Sequence, residues 1–329
     1  VNFLISLVAV TVLFLAAFFG AKAGLHVVFG VVVPYAALLL FVAGLIYRIL
    51  GWAKIPVPFR IPTSCGQEQS LPWIRQAKLD NPSSGPWVVA RMAIEILFFR
   101  SLLRNTRSEL IDNKRVVYSS SPWLWLGSIV FHYSMLVIIL RHLRLVVEPV
   151  PGVITFLQSA DGFLQIGAPT YYITSFMFIA ALGYLLIRRI WIPQLRYISL
   201  ANDYFPLFLL IGIGVSGFWL RYIGKADIVA VKEMVLGLAR FRPAGLDAVD
   251  PLFYGHLFLA SILFAYFPVS KLMHMAGVFF SPTRNMANNN RMVRHVNPWD
   301  YPVKVHTYEE YEDEFREKMK AAGVPVDKE

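Results

Sequence analysis

The chain has 329 residues, 57% of them hydrophobic and only 16% charged, with a mean hydropathy of +0.54; a soluble domain of this size keeps enough polar surface to stay near neutral hydropathy, so the class is membrane protein. The formal net charge of +10 would suggest nucleic acid in a soluble protein, but no nucleic-acid motif is present, and the charge reads as Lys and Arg gathered in the loops on one side of a bilayer. The single cysteine, Cys65, excludes an intrachain disulfide framework, an all-cysteine iron–sulfur cluster and a Cys-x-x-Cys-His attachment site.

In chain order, six apolar stretches are long enough for the roughly 20-residue helix that crosses a hydrocarbon core of about 30 Å: 3–19, 27–49, 123–147, 172–192, 205–222 and 252–280. Backbone polar groups cannot go unpaired in lipid, so these are expected as helices, giving an all-α membrane protein. The first stretch lacks a basic leading region and reads as a retained helix rather than a cleaved signal. The segment from 48 to 121 carries 11 Lys and Arg, the turn with Arg188, Arg189 and Arg196 three, and the tail from Lys271 nine. With six helices this puts both termini and the long loop on the cytoplasmic side of a cytoplasmic membrane.

Within that long loop, the Pro-, Ser- and Gln-rich stretch from 56 to 86 reads as irregular. Val89, Met92, Ile96, Phe99 and Leu103 then recur at helical spacing with Arg91, Arg100, Arg104 and Arg107 between them, the pattern of an amphipathic helix on the inner membrane face. The tail from 308 to 322 is charged and helix-prone, and is expected to dock a soluble partner. Three parts follow: an extra N-terminal helix (1–26), a bundle (27–281) holding the inner-face loop 50–121, and a cytoplasmic tail (282–329).

Four of the seven histidines fall inside apolar stretches: His132 and His142 on the third, His256 and His274 on the sixth. An ionisable side chain in hydrocarbon is costly and is a functional hypothesis by default. The two helices run in opposite directions, so His132 meets His274 at one depth and His142 meets His256 at another. Eighteen residues make five full turns, leaving His256 and His274 on one face, while ten residues leave His132 and His142 roughly 80° apart. The rises disagree, at about 15 Å against about 27 Å. Zinc would want its ligands gathered at one point; two separated imidazole pairs suit two haem irons, each with both axial positions filled and therefore passing electrons. A histidine relay for protons is the rival from another class; it would call for intramembrane acids, which are almost missing from the apolar stretches.

The segments FHYSMLVIILRH (to His142) and GHLFLASILFAYFPVSKLMH (to His274) carry a His-x9-His and His-x17-His pattern that resembles the NarI family, the dihaem cytochrome b subunits of nitrate reductases, over the last five helices. IPTSCGQEQSLPWIRQAKLDNP and ARMAIEILFFRSLLRNTR are closer to DsrM, the membrane cytochrome b of the DsrMKJOP complexes of sulfite- and sulfate-linked respiration. The resemblance implies a five-helix bundle plus one extra helix, haem pairs His132/His274 and His142/His256, exchange of electrons with menaquinone, and a DsrK-like cytoplasmic iron–sulfur partner. A quinol-oxidising nitrate-reductase-type subunit is the alternative branch.

Haem propionates need cationic partners, for which Arg141, Arg144, Arg221 and Lys271 are candidates. Glu148 and Asp161, after His142, are candidates for an outer-face quinone site, where His142 could also bond a quinone oxygen. Gly212, Gly214 and Gly217 spell G-x-G-x-x-G, but in mid-membrane they read as close-packing residues, as do Gly127 and Gly255. His26, His295 and His306 read as surface or interfacial, and Trp123, Trp125, Trp191 and Tyr222 as an aromatic belt.

Overall fold

The computed structural model describes residues 1–55, 57, 66–104, 107–112, 114–167, 169–292 and 306–328. Six helices are long and apolar enough to cross a membrane: α1 Asn2–Lys22, α2 Val28–Ala53, α4 Pro122–Leu145, α6 Ile173–Trp191, α7 Ala201–Ile223 and α9 Pro251–Val269. Between them lie α3 Gly85–Phe98, α5 Gly152–Asp161 and α8 Ile228–Ala239, and α10 Tyr308–Ala321 closes the chain. The chain is a multi-pass membrane protein, and its outward-facing side chains agree: Leu4, Val12, Leu39, Ile139 and Ile187 point away from the bundle, as they should where the solvent is hydrocarbon.

The starts of the helices are written locally. Proline occupies the first turn of α4 and α9, where its missing N–H costs nothing, and the Asp250 carboxylate accepts from the Leu252 N–H. Packing then follows an open chain: α4 lies on α6, α6 on α7 and α7 on α9, while α4 and α9 do not pack closely on each other. Helix α1 fills the groove between α7 and α9 and α2 lies against α9. Small residues allow this: a Cβ on Gly255 would collide with Phe14, and one on Gly212 would meet Leu259 and Val10. Asn2 donates to the Ser199 carbonyl and Ser6 to that of Ala201, so α1 and α7 start on the same face, and Trp52 at the end of α2 packs at a tilt against Phe280 there. This is the loop face; the opposite one is the far face.

Three local features depart from the expected elements. The sixth helix is not continuous to 280: the regular helix stops at Tyr266, a tight turn Phe267–Val269 follows, Ser270 is extended, and His274 sits on a separate helical turn, His274–Gly277. Pro268 causes this, since it removes an N–H and its ring clashes with the carbonyl four residues earlier. The amphipathic helix ends at Phe98 because Phe99 adopts the left-handed conformation (φ 49°), and only a short turn, Arg100–Leu103, follows it. Residues Arg107–Ile111 (β1) and Arg115–Ser119 (β2) pair as an antiparallel hairpin. As expected, the described residues from 66 to 84 are irregular, and the tail forms a capped helix opened by Thr307 and Glu310.

The loop face is closed by polar contacts. Asp80 is bound by Arg100 and Arg104, Asn288 donates from its backbone to Pro82 and from its side chain to Asn81, and Arg284 pairs with Glu95 at 3.2 Å. The stretch after α9 is thereby stitched onto the loop before α4.

Candidate functional site

The two histidine-bearing elements face each other across the opening between α4 and α9. His132 and His274 approach with ring centroids 6.0 Å apart and planes at 86°. Phe131 and Phe99 pack edge-on against the His132 ring at 4.7 and 5.0 Å, the latter because the left-handed turn at Phe99 swings its ring back toward α4. Toward the far face, His142 and His256 lie near enough to interact electrostatically. The His256 ring rests on Gly217, where an added Cβ would stand 3.1 Å from the imidazole. Packing between α7 and α9 thus requires a glycine at the position that closes the sequence motif.

The hydrogen bonds fix the chemistry of all four rings. Nδ1 of His132 lies 2.7 Å from the Ser128 carbonyl, that of His142 2.7 Å from the Ile138 carbonyl, and that of His274 2.9 Å from the Lys271 carbonyl. A carbonyl only accepts, so each Nδ1 carries the proton. Nδ1 of His256 lies 2.9 Å from Ser216 Oγ, whose own proton goes to the Gly212 carbonyl at 2.7 Å; the serine oxygen accepts here as well. Every imidazole is therefore held as the tautomer whose Nε2 keeps its lone pair, the arrangement usual for metal-bound histidine.

This donor set fits haem iron. Two metal–imidazole bonds of about 2 Å laid end to end, plus the half-width of each ring, span about 6 Å, the separation observed for His132 and His274. Among the described residues no group of three or more His, Cys, Asp or Glu is placed to hold a metal ion.

Beside His142, a polar layer is buried in the far half of the bundle. The Arg141 guanidinium pairs with Asp161 at 3.3 Å, both side chains nearly inaccessible. Asp161 also accepts from the backbone N–H and hydroxyl of Thr174. Arg141 and Arg221 lie over the Tyr172 ring, 3.9 and 4.4 Å from its centroid, a cation–π contact strengthened by burial. Arg221 donates to the Thr170 carbonyl, and its buried Nε has no hydrogen-bond partner among the described residues. Two cations thus flank one aromatic ring beside His142, and only Arg141 has a carboxylate partner there. A cavity of about 500 Å³ opens beside Tyr172, lined also by Thr155, Gln158, Phe163 and Thr170.

The remaining candidates are placed as follows. Lys271 is engaged by Asp203 at 2.5 Å and Arg144 reaches Gln158 at 3.4 Å. Glu148 forms a surface pair with Lys232, away from the buried layer that holds Asp161. Nδ1 of His142 is taken by the Ile138 carbonyl, which leaves Nε2 as the nitrogen open to a ligand. His26 contacts Asp247 at 2.6 Å and stacks on Tyr254, and His306 lies 4.0 Å from Glu314. Gly214 and Gly127 pack against Phe178 and Tyr184, in keeping with a close-packing role. Cys65 and His295 lie outside the described residues. Sequence reasoning missed Ser216, Tyr172 and Phe99, whose roles depend on which helix they face; Gly217, next to Ser216, was the only nearby signal.

Compared with known proteins, the chain matches the model of the nitrate reductase gamma subunit family over residues 89–296. It is 47% identical over 281 residues to an Hdr-like menaquinol oxidoreductase cytochrome b-like subunit of Archaeoglobus fulgidus, covering 83% of this chain and 84% of that protein. The subunit of the same description from Archaeoglobus profundus is 42% identical over 275 residues, 81% of each chain.

Proposed function

The chain belongs to the nitrate reductase gamma subunit family, and from that premise we propose that it is the cytochrome b subunit of a menaquinol-linked oxidoreductase complex, carrying electrons across the membrane on two b-type haems. The observation that carries this reading is the common state of the four imidazoles: each Nδ1–H is spent on the protein and each Nε2 is free to ligate. His132 with His274 would hold one haem and His142 with His256 the other. Held between two imidazoles, each haem would supply one-electron transfer.

The protein's own part is to hold and bias these groups. Arg221 and Arg144 are the better partners for propionates, since Lys271 and Arg141 already face carboxylates. The cavity beside Tyr172 supports a far-face quinone headgroup site, with Asp161 behind its wall, paired to the Arg141 that lies over the Tyr172 ring. The loop face carries Arg48, Arg188 and Lys271 at helix ends, which supports a cytoplasmic placement for it and for both termini. An iron–sulfur partner on that side is in keeping with the Hdr-like complexes named for the relatives; the link to sulfite or sulfate respiration rests on the inner-loop resemblance alone.

The test is spectroscopic. The purified chain should contain two haems per polypeptide with reducible Soret and α bands, and His132→Ala or His256→Ala should each remove one haem and leave the other. A colourless chain, or loss of both haems from every single substitution with the fold intact, would overturn the assignment.

A further inference from the structure

Helix α3 turns the usual logic of a surface helix inside out. Its polar side chains Arg91 and Glu95, one turn apart, are buried: Arg91 donates to the Asp80 carbonyl, and Glu95 accepts from the backbone and hydroxyl of Ser101 and pairs with Arg284. One apolar stripe faces outward, with Val89 69%, Ile96 37% and Leu97 50% exposed and Ala93 exposed between them. In water this would be a liability.

The end of the helix is also anchored at membrane depth. The last carbonyls of a helix have no partner within it. Here the Leu97 carbonyl accepts from the Tyr133 hydroxyl at 2.9 Å and the Phe98 carbonyl from Trp125 Nε1 at 2.7 Å. Both donors belong to the membrane-crossing α4: Trp125 lies three and Tyr133 eleven residues beyond its first residue, Pro122, rises of about 4.5 and about 16 Å, so the two carbonyls sit between these levels. Water would satisfy those carbonyls at no cost, whereas hydrocarbon requires protein donors. The outward stripe is continuous with the apolar surface of α4, where Leu126 and Tyr133 are exposed.

We infer that α3 is an in-plane membrane helix, bedded in the loop-side leaflet by Val89, Ala93, Ile96 and Leu97, and that the occupant of this face is lipid. The polar side holds the cap of the loop face, and the buried end carries Phe99 onto His132, so the leaflet itself helps set one wall of the loop-face histidine pair. This inference rests on the membrane class and not on the haem reading.

Spin labels at Val89→Cys, Ala93→Cys, Ile96→Cys and Leu97→Cys, in a Cys65→Ser background, would be measured in the full-length chain in phosphatidylethanolamine–phosphatidylglycerol vesicles and in membranes holding the assembled complex, with a label at Lys114→Cys as aqueous reference. Collisions with oxygen should exceed those with a water-soluble nickel chelate several-fold at all four positions, with immersion deepest at 97, and the order should reverse at 114. A chelate preference along the stripe would overturn the proposal. So would shielding from both reagents in the assembled complex, which would mean that protein covers the face. If one label perturbs folding, the other three read the same face.

Discussion

Three of the four imidazoles rest Nδ1 on main-chain carbonyls, which no side-chain substitution removes; His256 rests on Ser216 Oγ. Ser216→Ala takes the hydroxyl acceptor from one buried N–H, leaving it only the nearby Ile213 carbonyl, and lowers the basicity of the proposed ligand nitrogen. On the proposed reading, haem retention at that pair should weaken within the ~10–100-fold range typical of such supporting contacts, and that haem's potential should rise while the other stays fixed. A redox titration in which neither wave moves would remove Ser216 from the site. A second contrast separates the two acids once grouped as quinone candidates. Asp161→Asn leaves the Arg141 cation buried without its carboxylate, a class of change that costs about 3–5 kcal/mol, whereas Glu148→Gln breaks a half-exposed surface pair worth ~0–1 kcal/mol. Thermal unfolding in detergent should show the first strongly and the second barely. Should Asp161→Asn keep its melting temperature and lose quinol-driven reduction, the residue would act on the quinone directly. The histidines could be read from the sequence because ionisable groups stand out in apolar runs. Tyr172, between two arginines, could not, because nothing in its own neighbourhood tells that α4 and α7 both turn a guanidinium toward it.

At the level of elements, hydropathy located all six spans, and their observed ends differ from the expected ones by a few residues, save at α9. There an apolar run was read straight through Pro268. Treated as one helix, the stretch from His256 to His274 rises about 12 Å more than that from His132 to His142, and this mismatch is the trace the break leaves in the sequence. The break removes it: the chain turns at Val269, and the Ser270 hydroxyl caps the next turn by accepting from the Leu272 N–H, bringing His274 to His132. Pro268→Ala should let the helix run on and carry His274 away from its partner. The expected outcome is one haem per chain instead of two, with a single redox wave and the His142/His256 site intact. Two haems in this variant would show that the break is not what sets the pair. The β1–β2 hairpin and the left-handed Phe99 were not legible for a related reason. The apolar periodicity runs on across Phe99 to Leu103, and the left-handed turn at Phe99 ends the helix where Trp125 and Tyr133 take its last carbonyls; the hairpin lies beyond that pattern.

For the whole molecule, the apolar exterior means that the bundle is held by lipid on its sides, and the polar loop face must be closed by the chain itself. Asp80 is the hub of that closure. Burial pushes its carboxyl up, but the Arg100 hydrogen bond and the charges of Arg100, Arg104 and Arg91 outweigh it and hold the group below the ordinary aspartate range. Because the folded state prefers the charged form, this contribution is complete above the unfolded aspartate value of about 4 and is lost as pH falls through the lower folded value. Hydrogen exchange over residues 66–104 and 281–292, corrected for the intrinsic pH dependence, should show constant protection from neutral pH down to about 5 and loosening only in stronger acid. Asp80→Asn removes the charge at every pH, so the variant should be less protected at neutral pH and lose its acid transition. Since Asn81 and Asn288 join the same loop to the segment that follows α9, the loosening should reach residues on both sides of the bundle together. Equal protection of variant and parent at neutral pH would show that the neutral contacts hold the cap and that Asp80 is only their neighbour.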